Sequence, residues 1–403
     1  MRRCDFRAVR GLLGVVLLAA ALTGCRISGT PQPTDVDLAA LDYGTYQHVP
    51  LTPPPGTEYS GRVIESIRIG EVMINPATAD SALSVSPLDK GAVPLPTPAK
   101  VSGVLSDQAR AVLTEHGLLA GFLVEGTDTA GVRRLTVLAL RMPNPEAASK
   151  AAVALDAADA AVSPDNVAVS VPRYPAARAH WRPTVASMAA TVAHGAFVVS
   201  LLAVHTTPDA AALTDLLAAA FDAQLPELDR FVATPAERFA DLPIDPDGLL
   251  ARMVPEKPGR WSPPAVVLID ADEIAGGKAA LHARGVVYGP NAAYLFGSRQ
   301  QRTSEDALAL MSFDGLKRYP DAVEARRAFQ RGAKSFADLT PIPGPEGIVD
   351  IRCGDFGAGR GDPNIRYACA LPHGRYVATV FAASEEQIRQ KAAAQYSLLE
   401  LAG

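Results

Sequence analysis

His194-Gly195-Ala196-Phe197-Val198-Val199-Ser200-Leu201-Leu202-Ala203 is matched further down the chain by His373-Gly374-Arg375-Tyr376-Val377-Ala378-Thr379-Val380-Phe381-Ala382. Each copy passes from a turn glycine into a run rich in β-branched and aromatic residues, which reads as a buried strand. A helix signal follows each. Thr207-Pro208 supplies an N-cap residue with proline at the first helical position, and Leu213, Leu216, Leu217, Ala220 and Phe221 then form one apolar stripe. In the second copy Ser384 and Gln387 have capping-box spacing, and Ile388, Ala392, Tyr396 and Leu399 share a face. Self-similarity of this kind marks one structural unit written twice.

The correspondence extends upstream. Pro145-Glu146-Ala147 opens a helix after a strand over 135–140, and Pro320-Asp321-Ala322 opens one after a strand over 307–313. Earlier, a helix ending near His116-Gly117 precedes a strand over 118–125, and a helix ending near Arg284-Gly285 precedes a strand over 286–296. Each copy reads helix, two strands, helix, two or three strands, helix. Short strands broken by glycine, with helices between them, predict an α+β fold. We expect two similar units in tandem, each a mostly antiparallel sheet with helices packed on one face. Prolines crowd between Phe231 and Pro264 and mark the join, giving a first unit at residues 59–234 and a second at 235–403.

The N-terminus says where such a body is kept. Arg2, Arg3, Arg7 and Arg10 precede about twelve nearly apolar residues, which end in Leu22-Thr23-Gly24-Cys25. A spanning helix needs roughly 20 apolar residues, so this run is too short to remain as an anchor. It reads as a lipoprotein signal peptide over residues 1–24, with Cys25 as the thiol that takes the lipid; an ordinary cleaved signal is the alternative. Each buried lipid CH₂ contributes about 0.8 kcal/mol, so two or three acyl chains hold stably. Residues 25–58 carry Pro31, Pro33, Pro50, Pro53, Pro54 and Pro55 and read as an extended tether. Fully stretched, at about 3 Å per residue, it would reach ~100 Å. Within it, Leu41-Asp42-Tyr43-Gly44-Thr45-Tyr46 is too aromatic for a spacer and is expected to dock onto the body.

The 403-residue chain has a formal charge of −5, and residues 1–24 carry four Arg and one Asp, leaving −8 on the remainder. An acidic chain without a Lys/Arg run argues against nucleic acid as a partner. With Cys4 in the signal peptide and Cys25 acylated, Cys353 and Cys369 are left as an even pair, and an oxidising compartment makes them a disulfide. A two-thiolate metal site is the rival, with His373 its nearby ligand candidate. Cys369 falls opposite Ala190 in the repeat, so the staple is peculiar to the second unit.

Motifs of chemistry are sparse. Gly354-Asp355-Phe356-Gly357-Ala358-Gly359-Arg360-Gly361-Asp362 reads as a hairpin loop, because a phosphate-binding glycine run would be followed by a helix and here a strand follows. Asp270 and Glu273 have the spacing of a helix cap, a reading preferred to a metal site. His194 and His373 precede the repeated turn glycines, and Trp181 and Trp261 read as packing residues. His-Glu-x-x-His, Gly-x-Ser-x-Gly and Ser-x-x-Lys with its companions are absent. No catalytic, cofactor-binding or metal-binding residues are therefore assigned.

The lipobox, the Pro-rich tether, Leu41-Asp42-x-Gly44-x-Tyr46 and the late Cys353/Cys369 pair together resemble an uncharacterised family of actinobacterial cell-envelope lipoproteins, from about residue 36 onward. The resemblance implies a membrane-anchored, extracytoplasmic location and brings no catalytic residues with it. The expectation is a non-enzymatic binding or scaffolding module, with a small or lipid-like ligand at the join of the two units. A cell-envelope hydrolase with a non-motif site is the alternative. A sensor or partner subunit of a membrane complex is a third.

Overall fold

A computed structural model describes residues 36–87, 92–101, 104–269, 280–297, 304–357 and 365–402. The signal-peptide and lipobox residues, the first part of the tether, Asp270–Glu273 and the 358–364 loop lie outside the described residues. The compact body spans Leu38–Gly403.

Two seven-stranded sheets carry it. The first runs β1 (Ala92–Pro94), β2 (Ala120–Thr127), β3 (Arg134–Arg141), β7 (Phe197–Val204), β6 (Ser187–His194), β5 (Tyr174–Trp181), β4 (Val167–Val171). The second runs β10 (Val286–Tyr288), β11 (Ala307–Met311), β12 (Asp314–Arg318), β16 (Tyr376–Ala382), β15 (Tyr367–His373), β14 (Arg352–Asp355), β13 (Thr340–Ile342). Position by position the two orders are the same, and every neighbouring pair is antiparallel. The α+β class and the tandem units are as the sequence predicts. A separate ribbon of β8 (Ala265–Ile269) and β9 (Ala280–Arg284) precedes the second sheet.

The helices are α1 (Glu58–Gly70), α2 (Asp107–Glu115), α3 (Pro145–Ala160), α4 (Ala210–Leu228), α5 (Pro290–Phe296), α6 (Ala322–Arg331), α7 (Ala333–Phe336) and α8 (Glu385–Leu401). None in the described residues is long and apolar enough to cross a membrane. In the first unit helices cover both faces of the sheet, where one face was expected. Phe122 and Val124 on β2 join the core under α1 and α4; Leu123, between them, joins the core under α2 and α3. Successive strand residues point to opposite faces, and every residue of β2 is buried. A strand apolar on both sides needs cover on both.

Some local expectations shift. The helix expected up to Arg284 is strand β9 in its described part, and the strand expected over 286–296 is short β10 followed by α5. Pro290 at the first helical turn and the buried Ala292, Ala293 and Leu295 turn that apolar stretch helical. The cap of α4 is Asp209, two residues beyond Thr207, accepting from the Ala211 and Ala212 amides. Each unit has more strands than the sequence revealed; in the second, Ser312, in the left-handed region, closes a tight hairpin inside the stretch read as one strand.

The units share a core. Tyr288, Ala292, Leu295, Leu308 and Leu310 of the second cluster with Val63, Ile67 and Phe122 of the first. Helices α1 and α5 also cap one another. Glu71 accepts from the Asn291 and Ala292 amides, and the Asn291 side chain donates to the Gly70 and Met73 carbonyls. These are the orphan groups that every helix end exposes.

The Leu41–Tyr46 stretch lies on the body. Tyr43 and Tyr46 pack against Val254, Ala394 and Leu398. Gln390 donates to Asp42 at 3.0 Å, and Ser397 donates to the His48 carbonyl at 2.9 Å. The extended stretch expected up to residue 58 is thus held against α8 over part of its length. Cys353 and Cys369 form a disulfide between directly opposed positions of β14 and β15.

Candidate functional site: a groove across the first sheet

Among the described residues, two cavities near the join are small. One beside Asn75, Val124 and Tyr294 holds about 20 Å³, and one beside Gln47, Trp261 and Met311 about 10 Å³. Such spaces suit single waters. A roomier cavity of about 220 Å³ opens on the first unit, between the N-terminal end of α2, the C-terminal end of α3 and the sheet. A neighbouring one of about 160 Å³ continues across β5, and Asp159, Ala189 and Leu202 line both.

Strand register explains the floor. Glu125 on β2 faces Thr136 on β3, Thr136 faces Leu202 on β7, Leu202 faces Ala189 on β6, and Ala189 faces His180 on β5. Cross-strand partners share a face, so these five residues form one row under the groove. Leu202 is 39% exposed in a central strand. Helix α3 covers Leu138, further along the same face, and meets the row only at His180, through Asp156 and Asp159, leaving Leu202 exposed.

The two ends of the row are polar. Glu125 is only 6% exposed; one carboxylate oxygen accepts from the Thr136 hydroxyl at 2.9 Å, and the other lies 3.7 Å from Arg134 Nε. That Nε has no hydrogen-bond partner. At the other end His180 bridges two carboxylates of α3, with Nδ1 3.1 Å from Asp156 and Nε2 3.2 Å from Asp159. The hydrogen bond to Asp159, with that to Asp156 and the charge of both, raises the His180 pKa against the opposing effect of burial. Both ring nitrogens are occupied by carboxylates, so this histidine is placed to hold α3 to β5, not to activate a hydroxyl nucleophile.

The second unit lacks this floor. Its β11–β12 hairpin has five-residue strands, against eight in β2–β3. The turn at Ser312 closes where the first unit runs on to Glu125, Arg134 and Thr136. The groove belongs to one copy of a duplicated fold.

Of the candidate residues singled out in the sequence, Trp181 lines the groove's continuation across β5, and the others lie elsewhere. His194 meets Asp229 at 2.6 Å and His373 meets Glu400 at 3.6 Å, each ring against the end of its unit's last helix. Trp181 packs on the first core and donates to the Val185 carbonyl, while Trp261 packs on the second. Asp355 forms a bidentate pair with Arg366 beside the hairpin loop. Sequence reasoning missed Glu125, Arg134, Thr136 and Asp159. The one available signal was an acidic residue ending the apolar run before Gly126. Among the described residues no cluster of three or more His, Cys, Asp or Glu side chains is arranged to hold a metal.

These features define a duplicated, disulfide-stapled α+β body with a solvent-open groove in its first copy. The chain carries both domains of a family of unknown function, DUF7373: the N-terminal domain over residues 52–244 and the C-terminal domain over 249–401. The extracellular domain of PknH from Mycobacterium tuberculosis is similar over 96% of its own length and 42% of this chain, at 10% sequence identity and a TM-score of 0.26. No curated protein matches the chain.

Proposed function

We propose that this is an extracytoplasmic, lipid-anchored binding module of the cell envelope, non-enzymatic, with the groove of the first unit as its binding site. The observation that carries the binding reading is the row from Glu125 to His180. It is a continuous line across a central sheet that lines a groove between two helix ends, buried at Glu125 and Thr136 and exposed at the leucine in its middle. A concave site with apolar lining and a few converging polar groups is the usual form of a ligand pocket. The anchor reading rests on Leu22-Thr23-Gly24-Cys25. The Cys353–Cys369 disulfide is in keeping with an oxidising compartment.

Two measurements test this. Cys25→Ser should move the chain from the membrane to the soluble fraction; unchanged membrane retention removes the lipid anchor. Native mass spectrometry of the chain released from its own envelope should show a bound small molecule that is lost in Leu202→Trp, which fills the groove. A co-purifying molecule indifferent to that substitution places binding elsewhere.

A further inference from the structure

We propose that the groove takes an uncharged amphiphile whose hydroxylated head sits between Glu125 and Arg134 and whose apolar part lies over Leu202, Leu138 and Leu155. This deepens the binding reading above and rests on it. The charges decide the first half. The lining carboxylates, Glu125 and Asp159, oppose the lining guanidiniums, Arg134 and Arg182, so these formal charges cancel. A charged head would bring one unmatched charge into a partly desolvated space, at a cost that grows with burial.

The hydrogen-bonding groups decide the second half. One Glu125 oxygen has no donor within hydrogen-bond range, Arg134 Nε has no acceptor, and the two are 3.7 Å apart. A hydroxyl both donates and accepts, so a head bearing several can serve the carboxylate and the guanidinium together. An ammonium can only donate and could accept nothing from the guanidinium beside the carboxylate. A carboxylate can only accept and would leave the Glu125 oxygen bare. Ser200 and Thr191, opposed across β7 and β6, also line the cavity and suit further hydroxyls. The apolar part is required by Leu202, whose exposure in a central strand is otherwise uncompensated.

The test uses the full chain in lipid nanodiscs, titrated calorimetrically with hexyl glucoside, glucose, hexylamine and hexanoate, each below its aggregation range. Hexyl glucoside should bind at least tenfold more tightly than the other three. Its affinity should fall at least tenfold in Glu125→Ala and, separately, in Leu202→Ser, each read on protein whose melting curve shows the fold retained. If hexylamine or hexanoate binds as tightly as hexyl glucoside and loses affinity in Leu202→Ser, the uncharged class is wrong while the groove remains a binding site. Hexyl glucoside binding that both variants leave unchanged, or no binding of it at all, overturns the proposal.

Discussion

Ala179 on β5 and Ala190 on β6 are directly opposed and both buried, at the places where the second unit has Cys353 and Cys369. One pair position is closed by packing in the first copy and by a covalent bond in the second. The difference follows from what lies alongside. Between Cys353 and Cys369 runs a stretch with four glycines, which is entropically costly to order. Replacing both cysteines with alanine should leave the fold intact and remove about 3 kcal/mol of stability in the chain-entropy picture. Urea midpoints with and without reductant check this, since the double variant should be indifferent to reductant. Conversely, Ala179→Cys with Ala190→Cys should oxidise on purification, and persistent free thiols in a native fold would refute the equivalence.

Glu65, fully buried on α1, takes Arg141 of β3 at 2.5 Å, Arg68 at 2.5 Å and the Thr234 amide at 3.0 Å. Arg141 is buried too, and desolvation lowers its pKa against the support of Glu65. Breaking a buried pair by removing one partner leaves an uncompensated charge and costs about 3–5 kcal/mol. Glu65→Gln should therefore lower the denaturant midpoint strongly, and more than Glu58→Gln in the exposed Arg62–Glu58 pair.

Tyr288 is fully buried in the shared core, stacked on Phe296, and its hydroxyl has no hydrogen-bond partner; burial pushes its pKa upward. Removing an unsatisfied buried hydroxyl relieves a desolvation penalty. Tyr288→Phe should be neutral or stabilising in thermal melts, while Tyr288→Ala should lose on the order of 3–5 kcal/mol through the cavity it leaves. A large loss in Tyr288→Phe would mean that the hydroxyl does have a partner.

His180 makes the groove's far wall pH-dependent. Its pKa is raised in the folded state, chiefly by the hydrogen bond to Asp159. The protonated ring therefore contributes stability that is fully present below the unfolded value of about 6.5 and is lost as pH rises through the folded pKa. At much lower pH the aspartates themselves protonate and the contribution fades again. The gap in melting temperature between the natural chain and His180→Gln should be widest in mildly acidic buffer and close in alkaline buffer. A gap that is constant with pH would mean that the ring stays neutral.

Gly44 sits in the left-handed region at φ +51°, and an added Cβ there would run into the Gln390 side chain. Gly44→Ala should loosen the docked N-terminal segment from α8. Limited proteolysis should then cut between Asp42 and Val49 faster than in the natural chain, with the rest of the body equally resistant.

The duplicated strand entered from His194-Gly195 and His373-Gly374 could be read because its glycines, at φ +54° and +50°, are fixed by turn geometry and its apolar residues by burial. The cap Ser384 was similarly local, as were the helix openings at Pro145 and Asp321-Ala322. Helix α1 went unread, although Thr57 and Ser60 form a reciprocal capping box, because its stripe has a polar Glu65 at a buried position. That carboxylate makes sense only once Arg141 arrives from 76 residues away. The Glu125–His180 row was invisible for the same reason: it is a line across five strands, and its members touch through register alone.

The docked segment sets a working radius. If Cys25 is acylated, thirteen residue steps separate the lipid from Leu38, where the folded body begins. A fully drawn-out chain covers at most ~3.3–3.6 Å per residue, so that leash reaches about 45 Å, less than half the span of a tether free to residue 58. With that anchor in place, the start of the folded body could rise no further than this from the bilayer.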